Sequence, residues 1–271
     1  MIKIKSEIRF AEISIMIKKI SESEIHRFEQ ICHELSAPLN KSAENIGTYN
    51  EKRTHRALKR FICDDEACFE VKVGSSVADV LCDGVIYEIQ TGSFYPLTKK
   101  IKNYLESSEY EVRVVYPIIS HRRIVRVDKD TGEVLRSRMS SAKQKVTKIL
   151  PELIYLSDAL CSRRLTFEII EIYAEEHRYS DEIHRYRKSG KRDSEVFPIS
   201  LEEITLLETT EDFASLLPNE LLDAGEFTAT EFMKATAIKN RRAYNALGSL
   251  CAIGVLEKQK DGKSAARYRV V

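Results

Sequence analysis

The chain is 271 residues long, carries a formal net charge of +1 and is 43% hydrophobic, enough apolar content for one large core or two modest ones. Charge so close to balance excludes capture of a polyanion by bulk positive field, so any nucleic-acid surface must come from local basic patches. No apolar run is long enough to span a bilayer, and no signal peptide or twin-arginine run is present. The expectation is a soluble protein of a reducing cytoplasm, with no membrane partner.

Residues 1–44 read as an N-terminal extension. Ile2, Ile4, Ile8, Phe10, Ile13 and Ile15 alternate well enough for a strand or two. Residues 25–35 have helical spacing, with Ser21 or Ser23 as the cap. Docking and dimerisation, the latter implying a homodimer, both remain open for this segment. Residues 48–62 predict a helix: Thr48-Tyr49-Asn50-Glu51 has the form of a capping box, and His55, Leu58 and Ile62 follow on one side. His55 and Lys59 fit a solvated helix face. Residues 69–73 alternate as a strand, and Gly74-Ser75-Ser76 turns the chain into the next one.

The stretch from Ala78 to Gln90 organises the rest. Asp83-Gly84 between two β-branched runs is a strong hairpin signal. A two-residue turn there makes Cys82 face Val85, Val80 face Tyr87 and Asp79 face Glu88. Facing Cβ atoms lie about 4.5–5.5 Å apart, and like charges so placed destabilise a sheet. Apolar neighbours on both strands add a desolvation cost. A divalent cation removes that cost, and Mg²⁺ is held by one or two carboxylates together with substrate phosphates. Gln90 lies two residues past Glu88, on the same strand face. The residues thus read as a metal-dependent phosphodiesterase site, with Mn²⁺ as a substitute ion. On the same reasoning, metal-free Asp79→Asn should be more stable than the parent chain.

Downstream, Thr91-Gly92-Ser93-Phe94 leads into a predicted helix over 96–107, with Pro96 in its first turn and Lys99, Lys100 and Lys102 along it. Residues 111–118 form a nearly continuous apolar run, as in a strand buried on both faces. Residues 123–128 and 133–138 predict a second hairpin about Asp130-Thr131-Gly132. Arg122, Arg123, Arg126, Arg136 and Arg138 make this the densest basic region of the first half. It suits phosphate-backbone contact, or a hairpin edge that charge protects against aggregation. Residues 148–160 read as a helix despite Pro151, residues 165–173 as a strand or short helix, and residues 176–199 as a charged linker. The six cysteines are scattered, and Cys63 and Cys68 are too far apart for a CxxC knuckle, so no zinc site is assigned.

From about residue 200 the pattern reads as helical, with a helix or two over 204–217. Thr228 to Glu231 is a further capping box. Residues 240–253 suit a helix that buries Ala243, Leu247, Leu250 and Cys251 and ends at Gly254. Two short strands about Asp261-Gly262-Lys263 complete the region, which resembles a winged helix-turn-helix. That resemblance implies base-edge contacts from Arg241, Arg242 and Asn245 and phosphate contacts from Lys260, Lys263 and Arg267.

Asp79, followed nine residues on by Glu88-Ile89-Gln90, resembles the D…(D/E)-x-K signature of the PD-(D/E)XK nuclease superfamily, with Gln90 where the superfamily has lysine. Ile46-Gly47-Thr48-Tyr49-Asn50-Glu51, Ala57-Leu58-Lys59, residues 88–94 and Val115-Tyr116-Pro117-Ile118 extend the likeness to bacterial proteins with a nuclease-like core and a C-terminal winged helix. The resemblance implies an α/β fold: an αβββαβ restriction-endonuclease-like core with a mixed sheet over 45–175, then an α+β winged-helix domain over 200–271. It implies Mg²⁺ on Asp79, Glu88 and the Ile89 carbonyl, with Glu51 reaching the ion through water. Gln90 would orient the attacking water, and Lys99 or Lys100 would supply the missing cation. The implied function is a Mg²⁺-dependent endodeoxyribonuclease acting on duplex or branched DNA. The alternatives are a catalytically silent nuclease scaffold serving as a DNA-binding regulator, or an interaction protein working through its winged helix.

Overall fold

The computed structural model describes residues 17–36, 46–180, 194–260 and 265–271, with side chains in the second stretch described for 53–179. The first described element is a two-residue strand, β1 (Ile17–Lys18), after which the chain turns at Ser21 into helix α1 (Glu22–Leu35). Ser21 closes a full capping box: its Oγ accepts the Glu24 N–H at 3.2 Å, and the Glu24 carboxylate accepts the Ser21 N–H at 2.9 Å. Ser21→Ala is expected to cost about 1 kcal/mol, read as a lower urea midpoint at unchanged slope. Phe28, Ile31 and Cys32 of α1 are buried. Phe28 meets Phe61 of helix α2 (Ile46–Ile62) edge-on at 5.5 Å. Thr48 falls within α2, and the side chains of the expected Thr48–Glu51 box lie outside the described residues.

After α2, strands β2 (Phe69–Val73), β3 (Ser76–Cys82) and β4 (Val85–Ile89) form an antiparallel meander. Asp83 and Gly84 have φ of 52° and 79°, the paired left-handed conformations of a hairpin turn whose twist matches its strands. The register is the expected one, with Val80 opposite Tyr87 and Cys82 opposite Val85. Helix α3 (Leu97–Ser107) follows, and then β5 (Glu111–Asp128), which runs parallel to β4. A shift of register between Ile119 and His121 carries β5 through as one strand where two were expected. Its hairpin with β6 (Val134–Met139) forms as predicted.

The 148–160 region is not a helix. Two 3₁₀ turns, Val146–Ile149 and Leu153–Leu156, flank Pro151, whose missing N–H cannot continue a helix. Strand β7 (Leu165–Ser180) lies parallel to β5, and β8 (Ser194–Leu207) returns antiparallel to β7. Both ends of the expected 176–199 linker are therefore sheet, and residues 200–207 are strand rather than helix. Inward positions such as Leu201, Ile204 and Leu207 suited either element; pairing with β7 decided for strand. The result is an α/β architecture on an eight-stranded mixed sheet, ordered β1-β8-β7-β5-β4-β3-β2 with β6 on β5.

One face of this sheet is covered by α1 and α2 through Phe28, Leu58, Ile89, Val115, Ile170 and Ile204. The other carries α3 and a C-terminal group: α4 (Thr210–Ala214), α5 (Asn219–Ala224), β9 (Glu226–Thr228), α6 (Ala229–Thr236), α7 (Asn240–Ile253), β10 (Leu256–Gln259) and β11 (Arg267–Val270). The last three strands form a sheet in the order β10-β11-β9. Thr228 and Glu231 make the expected capping box, and Gly254 ends α7 at φ 92°. The C-terminal helices share one apolar core with the central sheet, from Ile86 and Tyr104 through Leu217 and Phe232 to Leu247. Among the described residues no helix is long and apolar enough to cross a membrane.

Candidate functional site

Backbone pairing between β3 and β4 runs as far as Val80 and Tyr87. One residue further on, Asp79 accepts the Ile89 N–H on its Oδ2 at 2.8 Å. His55 Nε2, from α2, lies 3.4 Å from the same oxygen. Glu88 is 2% exposed and takes two partners from α3: Lys100 Nζ donates to Oε2 at 2.7 Å, and Tyr104 Oη donates to Oε1 at 2.7 Å. All of this except Tyr104 lines one cleft of about 440 Å³, which also takes in Lys59 and Gln90.

The two carboxylates carry opposite electrostatic loads. Burial pushes Glu88 up from its ordinary 4.5 to about 6, the Asp79 charge adds to that, and Lys100 and Tyr104 oppose it. Burial also pushes Asp79 up, but the hydrogen bond and charge of His55, the Ile89 N–H and Lys100 together hold it below its ordinary value. The repulsion expected from facing carboxylates therefore falls on Glu88. Metal-free Asp79→Asn therefore has two opposed effects: it relieves Glu88 of the Asp79 charge and it removes the contacts that hold Asp79 ionised.

Lys100 is on Glu88, while Lys99 is exposed and does not line the cleft. Gln90 lines the cleft and donates its Nε2 to Ser93 O at 2.6 Å. Ile89 contributes its N–H to Asp79. Glu51 lies on α2, with its side chain outside the described residues. His55 and Lys59, which read as solvated, line the cleft instead; Lys59 is ion-paired to Glu70. Tyr104 escaped the sequence reading. The available signal was its i, i+4 spacing from Lys100, which stacks the two on one helix face. Two hard carboxylates beside an ammonium can hold a small divalent cation and neutralise charge on a bound anion.

The basic residues divide. Arg122 pairs with Glu176 at 2.9 Å and Arg123 with Glu175 at 3.7 Å, so β7 neutralises both. Arg126 and Arg136 face each other across the β5–β6 ribbon, and both are exposed, as is Arg138. Arg241 is exposed at the start of α7. Arg242 reaches Glu152 at 3.4 Å, a contact within the chain, and Asn245 is half-buried. Lys263 lies outside the described residues.

A second cluster was not anticipated from the sequence. The sulfurs of Cys63, Cys68 and Cys82 all lie within 4.8 Å of one another. Chain spacing concealed this, because only the β2–β3–β4 pairing brings Cys82 beneath the α2–β2 connection.

Two carboxylates and an ammonium thus share one cleft on a mixed α/β sheet. The chain belongs to the family described as Domain of unknown function (DUF8091), whose profile matches residues 52–208. That span runs from α2 to one residue past β8, and so contains the whole cleft and all three clustered cysteines. The chain is also similar to an uncharacterised protein of Treponema pallidum (strain Nichols), 32% identical over 148 residues, which cover 54% of this chain and 58% of that one. No solved structure matches it.

Proposed function

We propose that the protein is a Mg²⁺-dependent nuclease of the PD-(D/E)XK type, hydrolysing DNA phosphodiesters in a cytoplasmic setting. The observation that carries this reading is Asp79 and Glu88 in one cleft, with the Lys100 ammonium 2.7 Å from Glu88. The donor set fits a hard cation, because both side chains offer carboxylate oxygen in one cleft. Asp79 and Glu88 would hold Mg²⁺ or Mn²⁺, which supplies Lewis-acid polarisation of the phosphate and a more acidic bound water. His55 and the Ile89 N–H keep Asp79 ionised and oriented. Lys100 stands in for the lysine absent at position 90 and neutralises charge developing on the phosphate. Gln90, tethered through its amide nitrogen to Ser93, keeps its carbonyl to orient water.

In this reading the α5-β9-α6-α7-β10-β11 succession is a winged helix that brings the chain to DNA. The exposed Arg126, Arg136 and Arg138 give the β5–β6 ribbon a phosphate-binding role, and the facing Arg126–Arg136 pair loses its repulsion when a phosphate lies between them. Arg136→Ala is expected to weaken DNA binding uniformly across sequences and reduce the salt slope by about 1, as read by fluorescence anisotropy at several salt concentrations.

One observation favours the silent scaffold as a second reading: both Glu88 oxygens already have partners in Lys100 and Tyr104. Incubation with supercoiled plasmid, linear duplex and a branched junction, in Mg²⁺, Mn²⁺ or chelator, separates the two. A nuclease nicks or cuts only with metal, and Asp79→Ala does not. Salt-sensitive binding without cleavage selects the silent scaffold, and the absence of both selects an interaction protein.

A further inference from the structure

We propose that Cys63, Cys68 and Cys82 form a binding site for a thiophilic closed-shell cation of the zinc class, separate from the carboxylate cleft. The three thiols come from three different segments. Cys63 directly follows α2, Cys68 ends the short 3₁₀ turn ahead of β2, and Cys82 is the last residue of β3. Their sulfurs all lie within 4.8 Å of one another, and none is in a disulfide. Tetrahedral zinc with Zn–S bonds of about 2.3 Å sets ligand sulfurs about 3.8 Å apart. Closing the cluster around an ion therefore asks for movements of about 1 Å or less.

Asp83 Oδ2 is 3.6 Å from Cys82 Sγ but does not share the mutual 4.8 Å of the three sulfurs, so the fourth position is left to solvent. Three thiolate sulfurs select zinc over the hard cations suited to Asp79 and Glu88. Cys63 is buried, but Cys68 and Cys82 are partly exposed, which leaves a path for the ion. On binding, each thiol releases its proton to solvent and becomes a thiolate ligand. No electron transfer is involved.

The location gives the site a consequence. It ties the C-terminal end of α2 to the turn of the β3–β4 hairpin. Helix α2 carries His55 and Lys59 into the cleft, and β3 carries Asp79. An ion here acts as a staple on the frame that aligns those groups.

The test uses the full-length, reduced protein without Mg²⁺ or DNA, so its outcome is independent of the nuclease reading. Co²⁺ is titrated in under anaerobic conditions and then displaced with Zn²⁺. The expected result is one Co²⁺ per chain, with a thiolate charge-transfer band and the intense visible bands of tetrahedral coordination, both erased by Zn²⁺. Zinc should also shield three of the six cysteines from a thiol reagent. Cys82→Ser and Cys68→Ser should each lower affinity at least about tenfold, while Cys161→Ser should not. If Cys82→Ser fails to fold, the Cys68→Ser variant, at a half-exposed position, gives the same reading. A Co²⁺ spectrum without the thiolate band, a band that survives in both cysteine variants, or a disulfide within the trio in freshly purified protein would each overturn the proposal.

Discussion

Lys100→Met is expected to lower Mg²⁺-dependent cleavage by about 10²–10³-fold, the scale for losing a charge donor from a preorganised site. The same change should shift the acid limb of the pH–rate profile upward. The Lys100 ammonium holds Glu88 down against burial and against Asp79, and an acid limb reports ionisation of the group that must be charged. Lys100 thus sets how far toward acid pH the limb extends. Without it, Glu88 stays protonated to higher pH. Lys99→Met serves as the control, because Lys99 is exposed and outside the cleft. Initial rates against pH for the three proteins settle the matter. A Lys100 variant with an unchanged limb would mean that the 2.7 Å contact does not act on Glu88.

The second large effect is on stability without metal, and it has opposite signs at the two carboxylates. For Glu88 the folded pKa is raised, from 4.5 to about 6. Its contribution is fully present below 4.5 and is lost as pH rises through about 6, because over that interval the folded chain holds the proton more tightly than the unfolded chain does. A rise of that size corresponds to about 2 kcal/mol. Glu88→Gln does not titrate, so relative to the parent it should gain about 2 kcal/mol between pH 4.5 and pH 8. For Asp79 the folded value is depressed, so its stabilisation is present above 3.8 and disappears as pH falls through the folded value. In the Glu88→Gln background, where no charge on residue 88 remains to be relieved, Asp79→Asn should therefore be destabilising at pH 7, and the difference should vanish in acid. Urea titrations of the three proteins at pH 4, 5, 6 and 8 with chelator present measure both curves. If the double variant were more stable than Glu88→Gln at pH 7, the contacts from His55 and Ile89 would not outweigh burial.

These signs were not available from the residues alone. Hairpin register put Asp79 and Glu88 on neighbouring strands, each one residue beyond the Val80–Tyr87 pair, and register follows from two adjacent residues, Asp83 and Gly84, that need left-handed backbone. Which carboxylate bears the cost depends on what approaches each from other elements. His55 comes from α2, Lys100 and Tyr104 from α3, and no local pattern specifies how those helices sit on the sheet. The choice between Lys99 and Lys100 is the same problem at smaller scale, since adjacent residues on a helix point about 100° apart and only packing of α3 selects one. The region after residue 175 misread for a related reason. Residues 194–207 are polar enough to pass for linker and apolar enough to pass for helix, and their strand character comes from pairing with β7, a non-local contact.

The sequence by itself determined the β3–β4 and β5–β6 hairpins, the helices expected over 25–35, 96–107 and 240–253, the capping box at Thr228, and the placement of Asp79 and Glu88 on paired neighbouring strands. Each is set by residues a few positions apart, through turn dihedrals, side-chain capping or hydrophobic spacing. Only the tertiary structure decided that β7 and β8 extend the sheet, that Lys100 and Tyr104 close on Glu88, that Arg122 and Arg242 are taken up by Glu176 and Glu152, and that Cys63, Cys68 and Cys82 converge. Those pairings join segments distant in the chain, and their geometry is fixed by how buried faces pack, which no local window of sequence contains.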